Sequence, residues 1–185
     1  MDFLLALWLP ILLSAASVWI VSMIVWMALP HHKRDFIGLP DEDGFMEYIR
    51  TNEIKAGNYA FPDCHAPGAM KSEKVQKAWE HGPVGHLSVW PTPLTMVGKL
   101  VATFIVYLVV STLIAYLTRI ALPGPASFAR VFHVAATAGV LAYCFSSIPN
   151  AIWWGSYGRT IVANVIDGIV YGAITGAIFA WRWPV

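Results

Sequence analysis

Residues 164–181 read Asn164-Val-Ile-Asp-Gly-Ile-Val-Tyr-Gly-Ala-Ile-Thr-Gly-Ala-Ile-Phe-Ala-Trp181, and this segment decides how the chain is arranged. It is long and apolar enough to cross a bilayer as a helix. Gly168, Gly172 and Gly176 recur every four residues, so on a helix they form one smooth groove. Helices in lipid associate largely through close van der Waals packing. The segment therefore predicts a membrane helix with one face built to contact another helix.

The composition also indicates a membrane protein. Of the 185 residues, 57% are hydrophobic and 12% are charged, whereas about 25% are charged in an average soluble protein. The net charge of +1 provides no strong electrostatic field, so nucleic acid is not expected as a partner. Cys64 and Cys144 are too few for a disulfide framework. The expected partners are the lipid bilayer and either other membrane proteins or further copies of the chain.

Three more apolar segments are long enough to be spans, namely residues 3–29, 94–117 and 128–148, and the fourth span covers residues 160–179. A secretory signal is the alternative for the first segment. Asp2 without any Lys or Arg at the start, and apolar residues as far as Leu29, argue against it.

The third span carries its own row of small residues, which includes Ala135 and Gly139. A short connection follows this span, so it should lie antiparallel to the fourth. Its small residues are therefore the predicted contact for Gly168, Gly172 and Gly176, with a homo-oligomer contact as the alternative.

Residues 30–92 are polar and predict a small extramembrane α+β segment between the first and second spans. Pro40 and the acids from Asp41 predict a helix start. A strand is expected at 59–61, a helix at 70–80 with Ser72 as its cap, and a strand at 84–90. The predicted fold is an all-α membrane protein, a four-transmembrane-helix bundle with this insertion. Residues 1–29 form the first helix, 30–92 the insertion and 93–185 the three-helix region.

Asp167 is the clearest candidate site residue. A carboxylate within a span is costly and usually faces a bundle interior or a water-filled path. One hypothesis is a proton or cation site, with Asn164 one turn earlier as a second oxygen ligand. The alternative is a structural hydrogen bond from Asp167 to a neighbouring helix.

Cysteine and histidine residues of the insertion are weak candidates for a metal site. Their side chains are ligands that zinc and copper accept, and the residues are Cys64, His65, His81 and His86. They show no paired spacing such as C-x-x-C. The adjacent His31 and His32 are expected to point apart and not to share a metal. No cofactor is therefore predicted.

Basic residues near the span ends give an orientation. The side that holds residues 30–92 carries Lys33, Arg34, Lys99 and Arg159, and the opposite side carries Arg119, Arg130 and Arg182. Basic residues favour the cytoplasmic side. This small excess predicts that residues 30–92 are cytoplasmic and that both termini are periplasmic.

Several segments together resemble a family of small bacterial integral membrane proteins of unknown function. They are Val25-Trp-Met-Ala-Leu-Pro-His-His-Lys33, Leu39-Pro-Asp-Glu42, Pro149-Asn-Ala-Ile-Trp153, Val165-Ile-Asp-Gly168 with Tyr171, and Trp181-Arg-Trp-Pro184. The resemblance covers most of the chain and implies a bacterial inner membrane. It implies no activity and gives Asp167 no role.

Three functional hypotheses follow. The chain contains no G-x-S-x-G elbow, H-E-x-x-H helix or phosphate loop, so an enzyme is not the first expectation. The first hypothesis is an accessory or scaffold subunit that binds membrane partners or lipid. The second is a small proton- or cation-linked transporter that uses Asp167 and Asn164. The third is a metal- or haem-linked redox membrane protein.

Overall fold

The computed structural model describes residues 2–184, and their side chains from residue 4 onward. The chain divides into two compact units. The helical unit comprises Met1–Phe36 and Met96–Val185, and the inserted unit comprises Ile37–Thr95.

Most of the chain is helical. Between residues 2 and 184 the α-helices are α1 (Asp2–Met27), α2 (Glu42–Thr51), α3 (Glu73–His81), α4 (Met96–Ala121), α5 (Phe128–Val140), α6 (Ile148–Trp153) and α7 (Gly158–Trp181). The predicted four long apolar helices are confirmed. Those long and apolar enough to cross a membrane are Leu4–Met27, Met96–Ala121, Phe128–Trp153 and Gly158–Trp181.

The third long helix differs from the prediction at its end. A span ending at residue 148 was expected, but a π-helical turn at Leu141–Phe145 is followed by α6. Pro149 lies in the first turn of α6, where its missing N–H costs no helical hydrogen bond. The helical stretch therefore continues to Trp153, and the connection to α7 is only residues 154–157.

The long helices of the helical unit pack as a bundle. α1 contacts α4 and α7, and α5 contacts the same two helices. The buried core between them includes Leu7 of α1, Ile114 of α4, Val131 of α5 and Phe179 of α7.

Glycines allow α5 and α7 to approach closely. A Cβ atom placed on Gly139 would lie 2.8 Å from the Cα of Gly172. One placed on Gly176 would lie 3.0 Å from the Cα of Ala136, and Gly168 lies against Cys144. Ala135 is buried on α5. The glycine row of α7 therefore lies against the third long helix, with no space for side chains.

The inserted unit contains the two predicted helices and a two-stranded sheet. β1 (Gly57–Phe61) pairs antiparallel with β2 (Gly85–Val89), and Tyr59 lies opposite Leu87. The Asp41 side chain accepts a hydrogen bond from the Gly44 backbone N–H, which caps α2. Ser72 caps α3 in the same way. The elements expected in this segment are confirmed.

We predict that Gly172→Ala destabilises the bundle. The new Cβ would lie 2.8 Å from the backbone nitrogen of Val140 and 3.0 Å from the carbonyl oxygen of Ala136, so the two helices must separate. Overpacking of this kind costs about 1–3 kcal/mol. Thermal unfolding in detergent micelles measures the loss.

Gly158→Ala is the matched control for this prediction, because the same change on α7 meets no atom within 4 Å. It should leave the unfolding temperature unchanged or slightly raised. Equal unfolding temperatures for the two variants would contradict the close-packing interpretation.

Candidate metal centre

A short turn brings two histidines against the first half of α7. α1 ends at Met27, and the 3₁₀ turn Pro30–His32 follows. Pro30 has no N–H and a fixed φ, so it starts the turn rather than prolonging α1. The Lys33 N–H donates to the Pro30 carbonyl at 3.1 Å, and the Asp35 N–H donates to the His32 carbonyl at 3.0 Å. These bonds fold residues 30–35 compactly beside α7.

Both histidines reach the same carboxylate. Oδ1 of Asp167 lies 3.1 Å from Nε2 of His31, and Oδ2 lies 2.7 Å from Nε2 of His32. The exposed fractions of the side chains are 9% for Asp167, 3% for His32 and 34% for His31. The site is therefore closed around His32 and Asp167, and accessible at His31.

A second carboxylate holds His32 from the other side. Nδ1 of His32 lies 2.5 Å from Oδ2 of Asp35. Carboxylates only accept hydrogen bonds, so His32 must donate from both ring nitrogens and be an imidazolium when both bonds form. Burial lowers the pKa of His32, but the hydrogen bonds to Asp167 and Asp35 outweigh it, so the pKa lies above its ordinary value.

The remaining neighbours fix the geometry. The hydrogen bond with His32 holds the pKa of Asp35 below its usual value, and the Thr160 hydroxyl, which donates to Oδ1 of Asp35 at 3.0 Å, acts in the same direction. Arg159 donates to the His31 carbonyl at 2.6 Å. The Trp26 ring stacks on His32 with centroids 3.9 Å apart and planes 4° from parallel. The orientation of His32 is thus set on three sides.

This arrangement fits a metal ion. One ligand atom each from His31, His32 and Asp167 lies within 4.8 Å of the others. Two atoms bound to one zinc ion at 2.0–2.1 Å in tetrahedral geometry lie about 3.3 Å apart. The observed separations of 2.7 and 3.1 Å end on different oxygens of Asp167, so the carboxylate would have to turn away from the two rings to admit an ion. An ion would replace the proton on Nε2 of His32, while Nδ1 would still donate to Asp35, as metal-bound histidines usually do.

The structure corrects one expectation about these residues. His31 and His32 were expected to point apart, yet both face Asp167, because the turn that carries them lies against α7. Among the described residues, the side-chain hydrogen bonds of Asp167 run to His31 and His32 of this turn. Asn164 is half-buried one turn earlier. Among the hydrogen bonds of residues 2–184, none joins Asn164 to Asp167, His31 or His32.

The weak metal candidates lie elsewhere, in the inserted unit. Nδ1 of His65 lies 2.9 Å from Oδ1 of Asp63, and both side chains are largely exposed. The Cys64 thiol donates to the Pro62 carbonyl. His81 lies beside Glu80 and His86 lies on β2. Over the described part of the chain, His31, His32 and Asp167 form a group of three potential metal ligands. None of the four weak candidates, Cys64, His65, His81 and His86, belongs to this group.

No protein-family model, curated protein or solved structure matches this chain. The geometry around Asp167 is therefore the basis for a functional proposal.

We predict that the stability of the metal-free protein passes through a maximum with pH. The raised pKa of His32 adds stability that is fully present below pH 6.5, the ordinary pKa of a histidine. This stability is lost as the pH rises through the pKa of His32 in the folded protein. The lowered pKa of Asp35 adds stability that is present above 3.8 and is lost as the pH falls through the folded-state pKa. Thermal unfolding in the presence of a chelator, measured from below pH 3.8 to well above pH 6.5, follows the loss of stability on the acid side and on the alkaline side.

His32→Gln tests the assignment of the high-pH limb. This variant has no imidazolium to lose, so its stability should stay flat across the range where the wild type declines. A wild-type pH profile in this variant would show that another group is responsible.

Proposed function

We propose that this protein binds a divalent transition-metal ion at the membrane boundary through His31, His32 and Asp167. The observation that carries the proposal is the convergence of two imidazole nitrogens on one buried carboxylate in the first half of a membrane-length helix. A buried carboxylate at such a position is costly unless a cation compensates it, and a divalent ion does so directly.

The charges around the site support this proposal. With an imidazolium at His32, the side chains of His32, Asp35 and Asp167 carry one net negative charge, which the nearby Arg159 offsets in part. A divalent ion in place of the Nε2 proton of His32 makes the same cluster formally neutral. Neutrality is favoured at the edge of a low-dielectric bilayer.

The ligand set indicates the class of metal. Imidazole and carboxylate together suit zinc, iron(II) and manganese(II) better than calcium or magnesium, which prefer oxygen ligands alone. Two histidines and one carboxylate leave coordination positions open for water or a substrate. We therefore propose a reactive or exchanging metal site and not a closed structural one.

Cation transport is a second candidate function. It is supported by Tyr171 and Thr175, which follow Asp167 at successive turns of α7 and place polar groups inside the bundle. In that case the ion is cargo and Asp167 is its entry ligand. We place the protein in a bacterial inner membrane with the site on the cytoplasmic face, because Lys33, Lys99 and Arg159 lie near that end of the spans.

Metal titration of the full chain tests the proposal. The protein in detergent micelles is stripped with a chelator and titrated with Co²⁺, whose visible bands report its ligands, and then with Zn²⁺ in competition. We expect one ion per chain. His32→Ala and Asp167→Asn should weaken binding by more than about 100-fold, because ligands contribute more than their supporting groups.

His65→Ala is the control for this titration, because it removes a histidine that is also paired with an aspartate but lies in the inserted unit. It should bind as the wild type does. Absence of binding by the wild type, or unchanged affinity in Asp167→Asn, would show that the cluster is only a hydrogen-bonded contact between the turn and α7.

We further predict that Asp35→Asn weakens metal binding without changing the ligands. Asp35 would orient His32 and increase its basicity, and loss of such a partner typically costs 10–100-fold in affinity. The Co²⁺ spectrum should keep its band positions. Asp63→Asn, which alters an equivalent aspartate beside His65, should have no effect. A wild-type affinity in Asp35→Asn would exclude this supporting role.

A further inference from the structure

Among the residues that the structure describes, the helical unit encloses hydroxyl groups without a well-aligned hydrogen bond. They belong to Ser14 of α1, Ser111 of α4, Tyr143 of the π turn, and Tyr171 and Thr175 of α7. All five residues lie within the helices that are long and apolar enough to span a membrane. Ser14, Ser111 and Thr175 are fully buried.

Contacts between their side chains bring most of these groups together. The ring centroid of Tyr143 lies 6.0 Å from that of Tyr171 and 5.9 Å from that of Tyr107. In both pairs the ring planes are nearly perpendicular. The Tyr143 hydroxyl also lies within interaction range of the hydroxyls of Thr175 and Ser111. These three hydroxyls are thus neighbours inside the bundle.

The π turn is a second sign of function at this position. Leu141–Phe145 interrupts the regular hydrogen bonding of the third long helix and carries Tyr143 at its centre. π turns within helices are rare and are frequent at functional sites. Here the turn directs a tyrosine toward the interior of the bundle, where it meets α4 and α7.

The energetics require a partner for these hydroxyls. Each buried and unpaired polar group costs about 1–3 kcal/mol, and whole domains are stable by only about 5–15 kcal/mol. Water between polar groups that lie slightly too far apart removes this cost. From these observations we infer that the hydroxyls of Ser111, Tyr143, Tyr171 and Thr175 line a hydrated half-channel, which starts beside Asp167 and ends at Phe179.

The sequence of α7 gives the half-channel its direction. Asp167, Tyr171, Thr175 and Phe179 follow at intervals of four residues and so lie along one face of the helix. Asp167 to Thr175 spans about 12 Å along the axis. Phe179 is fully buried and packs with Leu7 and other apolar core residues, so the polar row stops there.

Asp167 also borders the outside of the bundle. It lines a groove of about 530 Å³ together with His31, Arg159 and apolar residues of α1 and α7. This groove provides the entry for water. Protons can then move along the row by exchange, because each water or hydroxyl takes up one proton as it releases another and keeps its charge. The half-channel stands on the hydroxyls alone and does not need a bound metal.

Cysteine accessibility in lipid nanodiscs tests the inference. In a background with Cys64→Ser and Cys144→Ser, Ser111→Cys and Thr175→Cys are treated with 2-aminoethyl methanethiosulfonate, which reacts with thiolates. Thiolates form where water reaches the sulfur, so we expect these sites to react at least about tenfold faster than dry buried sites.

The matched dry sites are Ala115→Cys, one turn from Ser111 on α4, and Ala180→Cys, beyond Phe179 on α7; both native side chains are buried. Equal reaction rates at all four positions would overturn the half-channel. Each variant must elute and unfold as the background protein does.

A measurement on the unsubstituted chain keeps the test independent of these variants. Water-edited solid-state NMR in bilayers compares the transfer of magnetisation from water to the rings of Tyr143 and Phe179. Transfer to Tyr143 should be clearly faster, and Tyr143→Phe identifies its signal. Equally slow transfer to both rings would show a dry interior and overturn the inference.

Discussion

Contact between the backbones of α5 and α7 is the constraint on which the rest of the helical unit depends. The Cα atoms of Gly139 and Gly172 meet where any side chain would keep the helices apart. In lipid, where apolar side chains gain little by leaving the solvent, such contact is a main source of attraction. It fixes the rotation of α7, and therefore the direction in which its neighbouring residues face.

The rotation of α7 determines the polar interior. Asp167 immediately precedes the first glycine of the row, and Tyr171 precedes the second. With the glycines against the third long helix, these side chains are buried toward α1 and the turn that follows it. One packing surface thus places both the carboxylate beside the two histidines and the hydroxyls within the bundle.

Local composition was sufficient to predict the four long apolar helices and the elements of the inserted unit, because apolar length, caps and turn residues act over a few positions. The end of the third long helix was not predicted, because the π turn depends on how Tyr143 packs and has no local signature. Asp167 was singled out as a charge within an apolar segment. Its partners were missed, since the hydrogen bond from His32 joins residues 135 positions apart.

A topological signal for those partners was nevertheless present. Four antiparallel long helices place the end of the first and the start of the fourth on the same side of the bundle, so His31 and His32 lie near the half of α7 that carries Asp167. Asp35 resembled a solvated residue of the charged segment after the first span. Its burial against Thr160 could be recognised only once the turn was seen to fold onto α7.

His31, His32 and Asp167 come from distant parts of the chain, and this has a consequence for how the protein is made. His31 and His32 follow the first long helix, whereas Asp167 lies on the fourth one. The pocket around His32 is therefore complete only after the fourth long helix has been synthesised and has packed against the turn. The hydrogen bonds of His32 thus distinguish chains in which this helix has docked from those in which it has not.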